Sequence, residues 1–296
     1  MDTTTFLKQI ERLPGYQGQV VHVERLPARR ARYGKLERSL SPKLDAALQG
    51  IGVGRFYHHQ AEAINAVRSG QHVILSTGTA SGKTLAYNVP VLEAILADRR
   101  ARALYLFPTK ALAQDQLRGL GELAPPSVGR KRYGTYDGDT SQAARSRLRR
   151  EANILLTNPD MLHLGILPNH TLWADFFANL RFVILDEAHV YRGVFGSHVG
   201  CVLRRLWRVC ARYGAAPQIV ACSATIANPG EHLRRLAGIE PVVVEDDSAP
   251  SGARDFVLWN PPFVDRARTA RRSANIEAAR LFAHLVQARI RTIAFT

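Results

Sequence analysis

Several scarcities narrow the possibilities before any motif is considered. Cysteine occurs three times, at Cys201, Cys210 and Cys222, with no CxxC pair among them. That excludes a disulfide-built scaffold or a cysteine metal site and predicts buried thiols in a reduced, cytoplasmic setting. No uninterrupted apolar run approaches the roughly eighteen residues of a membrane span. The opening MDTTTFLKQIERLPG lacks the cationic start and apolar core of a secretory signal. Acidic residues are few beside basic ones, 25 against 40, which leaves a net charge of +15. Lysine is scarcer still: six of the 40 basic residues are lysine and the other 34 arginine. A GC-rich genome would explain arginine over lysine, but not the excess of bases over acids. That excess points to a polyanionic partner, with nucleic acid the first choice.

What the chain does have is a stretch, QHVILSTGTASGKT at 71–84, that reads as a phosphate-binding loop. A short apolar run (Val73, Ile74, Leu75) ends in a glycine-bearing turn, and Gly82-Lys83-Thr84 opens a helical pattern. Small residues over Thr77, Gly78, Thr79, Ala80, Ser81 and Gly82 let backbone N–H groups close on phosphates. The helix N-terminus adds a positive field, Lys83 a point charge for the β- and γ-phosphates, and the Thr84 hydroxyl a ligand for Mg²⁺. The strict pattern places glycine where Thr77 stands. Further on, the apolar strand Phe182–Leu185 runs into Asp186-Glu187-Ala188-His189. Asp186 would hold Mg²⁺ through water, and Glu187 would orient and deprotonate the attacking water.

Helix-type and strand-type stretches alternate through most of the chain. Strands are expected at 19–24, 73–75, 103–107, 132–136, 154–157, 182–185, 219–222, 256–259 and 291–295. Helices are expected at 42–49, 57–67, 83–97, 110–120, 141–151, 159–164, 197–213, 231–237 and 276–287. Continuous apolar strands separated by helices argue for an α/β fold, a parallel sheet covered by helices on both faces. Ligands of such sheets bind at the carboxyl ends of the strands, where each polar cluster here falls. In the helix at 197–213, Val199, Val202, Leu203, Leu206, Cys210 and Tyr213 follow a 3–4 spacing and form the expected buried face. Arg204, Arg208 and Arg212 share another face, read as solvated.

Taken in order, TGTASGKT, PTKALAQDQ (108–116), TNPDML (157–162), DEAH (186–189) and SAT (223–225) resemble the first RecA-like domain of superfamily 2 helicases. The longer strings LYLFPTKALAQDQ, DEAHVYRGVFGSHV and SATIANPGEH are most similar to the mitomycin-repair-factor-A group, relatives of the fungal Hrq helicases. The resemblance implies a P-loop NTPase that uses ATP and Mg²⁺ and, within that group, a DNA helicase of repair moving 3′ to 5′. DNA is favoured over RNA by the group alone. Gln60, with Phe56 or Tyr57 just before it, resembles the motif that reads adenine, since an amide carries both donor and acceptor. Pro108, Thr109, Lys110, Gly138, Asp139, Thr157, Asn158 and Pro159 would track the backbone phosphates of one strand. Ser223 and Thr225 would bond to the acidic motif and, with His189, couple nucleotide state to strand movement.

Four segments are expected: a basic N-terminal extension at 1–50, the RecA-like domain at 51–247, a linker at 248–272, with the loop-like EDDSAPSGA run (245–253) across that boundary, and the start of a second RecA-like domain, cut short, at 273–296. The missing partner would then be that second motor domain, and the chain alone would hydrolyse ATP very slowly. A nucleotide-dependent module that binds or remodels nucleic acid without unwinding remains the alternative.

Overall fold

The computed structural model describes residues 3–265 and 267–295. Among them are nine strands: β1 (Val20–Leu26), β2 (Val73–Ser76), β3 (Arg102–Leu106), β4 (Tyr133–Thr135), β5 (Ile154–Thr157), β6 (Leu180–Leu185), β7 (Gln218–Ser223), β8 (Val242–Val244) and β9 (Arg254–Trp259). Seven form one sheet in the order β4-β5-β3-β6-β7-β2-β8, and every neighbouring pair in it is parallel. The α/β layout expected from continuous apolar strands is therefore the one found. The chain divides into two compact units, Arg30–Pro250, which holds this sheet, and Met1–Arg29 with Ser251–Thr296.

The apolar runs are continuous because both faces of the sheet are buried, and successive residues feed opposite cores. On one side Val73, Leu75, Ala103, Tyr105 and Ile184 pack with Ile64, Val89, Leu92 and Leu120 from the helices His58–Arg68, Lys83–Ala97 and Lys110–Leu123. On the other, Ile74, Leu104, Leu106, Val183 and Leu185 pack with Leu203, Leu206 and Leu233 from the helices Gly193–Arg212 and Pro229–Ala237. Side chains such as these contribute about 1.5–3 kcal/mol each when removed from water. The helix Gly193–Arg212 buries Val199, Val202, Leu203, Leu206 and Cys210 as its spacing predicts, and Arg204, Arg208 and Arg212 are exposed.

Three local expectations change. Cys201 is exposed rather than buried, one step off the apolar stripe that takes Cys210, while Cys210 and Cys222 are buried. Residues 291–295 form no strand; an apolar pentapeptide needs a neighbouring strand to satisfy its backbone, and none pairs with it among the described residues. The helix expected to end at residue 164 instead runs on, through a π-helical segment at Leu162–Ile166 and a 3₁₀ segment at Leu167–Trp173. Their turns deliver the buried Trp173 against Phe176, ring centroids 5.7 Å apart.

In the smaller unit β1 pairs antiparallel with β9, Val20 opposite Trp259 and Leu26 opposite Arg254. The helices Thr3–Ile10, which the sequence did not reveal, and Ala274–Gln287 belong to the same unit. The buried Glu277 carboxylate accepts from Trp259 Nε1 at 3.0 Å and from an Arg272 guanidinium nitrogen at 2.7 Å. Among the described residues no helix is long and apolar enough to cross a membrane.

Candidate functional site

Three adjacent strands, β6, β7 and β2, release their polar clusters at the same edge of the sheet. After Ser76, the chain turns through Thr77–Ser81 and enters its helix at Gly82, whose backbone is left-handed at φ 77°. Ala80 also adopts a positive φ, 60°. The Thr77 and Ser81 hydroxyls bond across the loop at 2.7 Å, so Thr77 substitutes a side-chain brace for the glycine of the strict pattern. Lys83 Nζ donates to the carbonyls of Thr77 and Gly78 at 3.0 and 2.8 Å. The lysine thus spans the mouth of the loop, with Thr79 at its tip and Thr84 on the first helical turn.

Gln60 lies against this loop. Its Nε2 donates to the Gly82 carbonyl at 2.9 Å, and its Oε1 accepts from Tyr57 N–H at 2.9 Å. The residue proposed to meet a base therefore also braces the loop and caps its own helix. Tyr57 stacks on Tyr33 with centroids 5.6 Å apart.

At the end of β6, Asp186 is only 8% exposed. Its Oδ2 accepts from Tyr87 OH at 3.2 Å and its Oδ1 from Glu187 N–H at 2.9 Å. Burial pushes its pKa up to about 6, assisted by the charge of Glu187 and opposed by these two hydrogen bonds and by Lys83. Glu187 holds a left-handed backbone (φ 49°, ψ 43°) that costs a non-glycine residue on the order of 1–3 kcal/mol. Strain retained at the second of two adjacent acids marks a position whose geometry matters.

His189 Nδ1 accepts from Ala224 N–H at 3.2 Å and lies 3.3 Å from Glu187 Oε2. The link between the acidic turn and the 223–225 segment therefore runs through backbone. The Ser223 hydroxyl donates to the Ala224 carbonyl at 2.7 Å, and Thr225 is exposed. Bonds from either hydroxyl to the acidic motif, expected from the resemblance, are not the arrangement seen. Two residues that sequence reasoning passed over complete the connection. Ser76 Oγ donates to Ala224 O at 3.2 Å and accepts from Ile226 N–H at 3.4 Å, joining the end of β2 to the segment that follows β7. His232 Nε2–H donates to Ala188 O at 2.8 Å. Neither carries a sequence signal, because a serine ending a strand and a histidine in a helix are commonplace.

The remaining sequence-derived residues gather at the ends of β3, β5 and β4. Thr109 caps its helix by accepting from Leu112 N–H at 3.3 Å, next to the half-buried Pro108. Lys110 Nζ pairs with Asp139 at 2.9 Å, and Gly138 leaves room for that amine, which a Cβ there would meet at 3.3 Å. The Thr157 hydroxyl donates to Tyr136 O at 2.6 Å, Asn158 caps the following turn by accepting from Met161 N–H at 2.8 Å, and Pro159 is buried. Arg145, not singled out from sequence, holds the 137–140 turn by donating to the carbonyls of Asp137 and Thr140 at 2.7 and 3.0 Å. The acidic run after β8 is no open linker: Ser248 is fully buried, and an Asp247 carboxylate oxygen lies 3.0 Å from where a Cβ on Gly78 would stand.

Comparison with known proteins gives this edge its context. The DEAD/DEAH box helicase family matches residues 57–232. The chain is 46% identical over 276 residues to the uncharacterized ATP-dependent helicase YprA of Bacillus subtilis, covering 93% of this chain and 37% of that one. It is 43% identical over 298 residues to ATP-dependent helicase hrq1 of Schizosaccharomyces pombe, covering 98% and 28% respectively. The crystal structure of the DUF1998 helicase MrfA bound to DNA superposes with a TM-score of 0.90 at 43% identity, over 98% of this chain and 38% of that one. The DEAD-box helicase Mss116, at 17% identity and a TM-score of 0.62, shares the RecA-like fold. The chain spans little more than a third of its relatives' length or less. From the matched domain, its motifs and these similarities, the chain belongs to the DEAD/DEAH box helicase family, within the group of MrfA and the Hrq-type helicases.

Proposed function

We propose that residues 30–250 are the ATP-binding half of a nucleic-acid motor, part of a DNA helicase of repair that moves 3′ to 5′ and couples ATP hydrolysis to strand movement. The observation that carries this reading is one sheet edge bearing both clusters: Lys83, Asp186 and Glu187 at the ends of β2 and β6, and Lys110, Asp139 and Thr157–Pro159 around β3, β4 and β5. DNA as the polymer is supported by the MrfA structure, which is described as bound to DNA.

In this reading the phosphates of ATP take the amine of Lys83 away from the Thr77 and Gly78 carbonyls. Thr77–Thr84 then surround the phosphates, and Tyr57 and Gln60 contact the base. The oxygen-only pair of Asp186 and Thr84 fits a hydrated Mg²⁺, which prefers carboxylate, hydroxyl and phosphate oxygens over nitrogen or sulfur. Such an ion supplies charge neutralisation at the β- and γ-phosphates. Glu187 orients and deprotonates water, its side chain directed by the left-handed turn at its own Cα. His189, Ser223 and Thr225 sense the result. Pro108, Thr109, Lys110, Gly138, Asp139, Thr157, Asn158 and Pro159 hold the phosphates of one strand. The complementary half of the site belongs to a second RecA-like domain, whose arginines would raise turnover by about 10³–10⁵ in related NTPases; residues 1–296 alone are expected to turn over slowly.

Replacing Lys83→Ala should abolish binding of a fluorescent ATP analogue while leaving the thermal transition in place. Binding at unchanged affinity would overturn the phosphate-loop assignment. Strand displacement on 3′- and 5′-tailed DNA by a protein carrying both motor domains would test polarity, and hydrolysis without displacement would favour a remodelling module.

A further inference from the structure

The residue before Gln60 has no role in the reading above, yet it is the most connected side chain beside the phosphate loop. His59 is fully buried. Its Nε2 lies 3.0 Å from the Ser81 carbonyl; its Nδ1 lies 2.7 Å from Ser248 Oγ and 3.2 Å from Ser248 N, and its own backbone N–H donates to Ser248 Oγ at 3.0 Å. A backbone N–H can only donate, so Nδ1 accepts from Ser248 and the ring proton sits on Nε2, facing the Ser81 oxygen, which can only accept. Ser248 therefore selects the tautomer, and the tautomer holds the loop. Burial lowers the pKa of the ring, which keeps it in this neutral form.

The trans peptide gives that bond a directional consequence. No cis peptide is present among the described residues, and in a trans unit the carbonyl and the following N–H point in opposite directions. Drawing Ser81 C=O toward His59 turns Gly82 N–H away from it. Gln60 acts on the next unit in the same way: its Nε2 draws Gly82 C=O at 2.9 Å and so turns Lys83 N–H away. Two adjacent residues on one helix thus orient two successive peptide planes at the helix entrance, where anion-binding loops present their donors. The left-handed Gly82 between these planes permits both rotations, and a Cβ there would meet Gln60 Nε2 at 2.5 Å.

We propose that His59, held in one tautomer by Ser248, is a positioning residue for ATP: it aims the Gly82 N–H of the phosphate loop and ties that loop to the 246–249 segment. This rests on the ATP half-site reading given above.

The test is the affinity of the 296-residue chain for the fluorescent probe mant-ADP, compared among wild type, His59→Ala, His59→Gln, Ser248→Ala, the double variant His59→Ala with Ser248→Ala, and Lys83→Ala as control. Loss of one oriented donor to an anion predicts about tenfold weaker binding in His59→Ala. Ser248→Ala, which keeps the backbone N–H but loses the hydroxyl, should weaken binding about threefold. His59→Gln, whose terminal amide can still donate to Ser81 O, should recover most of the affinity. The double variant should bind no more weakly than His59→Ala alone, because Ser248 acts only through the ring. A purely structural role would give neither the glutamine rescue nor this non-additivity. Wild-type affinity in His59→Ala and Ser248→Ala, with Lys83→Ala inactive, would overturn the inference and leave the half-site intact. Retention of binding in Lys83→Ala would overturn the half-site itself. If His59→Ala fails to fold, Ser248→Ala and His59→Gln decide: a roughly threefold loss in Ser248→Ala with near wild-type binding in His59→Gln supports the proposal, and wild-type affinity in Ser248→Ala or a loss in His59→Gln as large as in Lys83→Ala overturns it.

Discussion

Asp186→Asn separates what the acidic cluster does for stability from what it does for nucleotide. The carboxylate is buried and its pKa rises from 3.8 to about 6. A raised carboxylate pKa means that the folded protein prefers the proton that the unfolded chain has already lost. Stability therefore falls as pH climbs through the interval from 3.8 to about 6, and stays reduced above it. At 1.36 kcal/mol per pH unit, that difference amounts to about 3 kcal/mol at pH 8 and about 1 kcal/mol at pH 4.5. Asparagine has nearly the same shape, can still accept from Glu187 N–H, and carries no charge to bury. The substitution should therefore stabilise the nucleotide-free protein by about 3 kcal/mol at pH 8 and by about 1 kcal/mol at pH 4.5. Urea denaturation followed by tryptophan fluorescence at both pH values, with and without Mg-ATP, measures this directly. Mg-ATP should stabilise wild type and have little effect on the variant. An asparagine protein no more stable than wild type at pH 8, or equally advantaged at both pH values, would refute the burial account of Asp186.

Two further substitutions probe the scaffold and the nucleic-acid track. Gly196→Ala should improve helix propensity by about 1 kcal/mol, yet its Cβ would stand 2.4 Å from the Tyr191 carbonyl oxygen and 2.6 Å from its carbon. Backbone cannot yield as a side chain does, so a net loss of about 2–3 kcal/mol is expected in the same urea assay, and a stabilised protein would contradict the packing. Lys110→Ala removes one cation exposed to solvent and paired, among the described residues, with exposed Asp139. It should leave stability within about 1 kcal/mol, weaken single-stranded DNA alike across sequences, and lower the salt slope of log affinity by about one. An unchanged slope would place Lys110 off the phosphate track.

The strands that deliver the motifs were legible because both faces of the sheet are buried and each run is apolar throughout. The phosphate loop and the acidic pair were legible for a related reason: their chemistry is local, contained in a few consecutive residues. What escaped depends on contacts distant in sequence. His59 and Ser248 are 189 residues apart, and Ser76 and Ile226 150 apart, so no spacing in the chain could bring them together. EDDSAPSGA reads as a loop from its composition, yet Ser248 within it is buried and bonded to His59 through both its hydroxyl and its backbone N–H. Residues 291–295 erred in the opposite sense, since apolar content signals a strand only where a neighbouring strand receives it.

The pairing of β3 with β6 limits how a motor built on this sheet can move. The two strands run parallel, in unbroken register from Ala103 opposite Phe182 to Leu106 opposite Leu185 after a one-residue irregularity at Arg102, and the first leads to Lys110 while the second leads into Asp186. Neighbouring strands lie about 4.8 Å apart, so the Lys110 and Asp186 ends of these strands are coupled through one stiff ladder. A relative displacement of several ångströms between them would break backbone hydrogen bonds that nothing else could replace. Under the function proposed above, residues 30–250 would act as the fixed jaw of a clamp, signalling nucleotide through small loop rotations rather than through movement within the sheet.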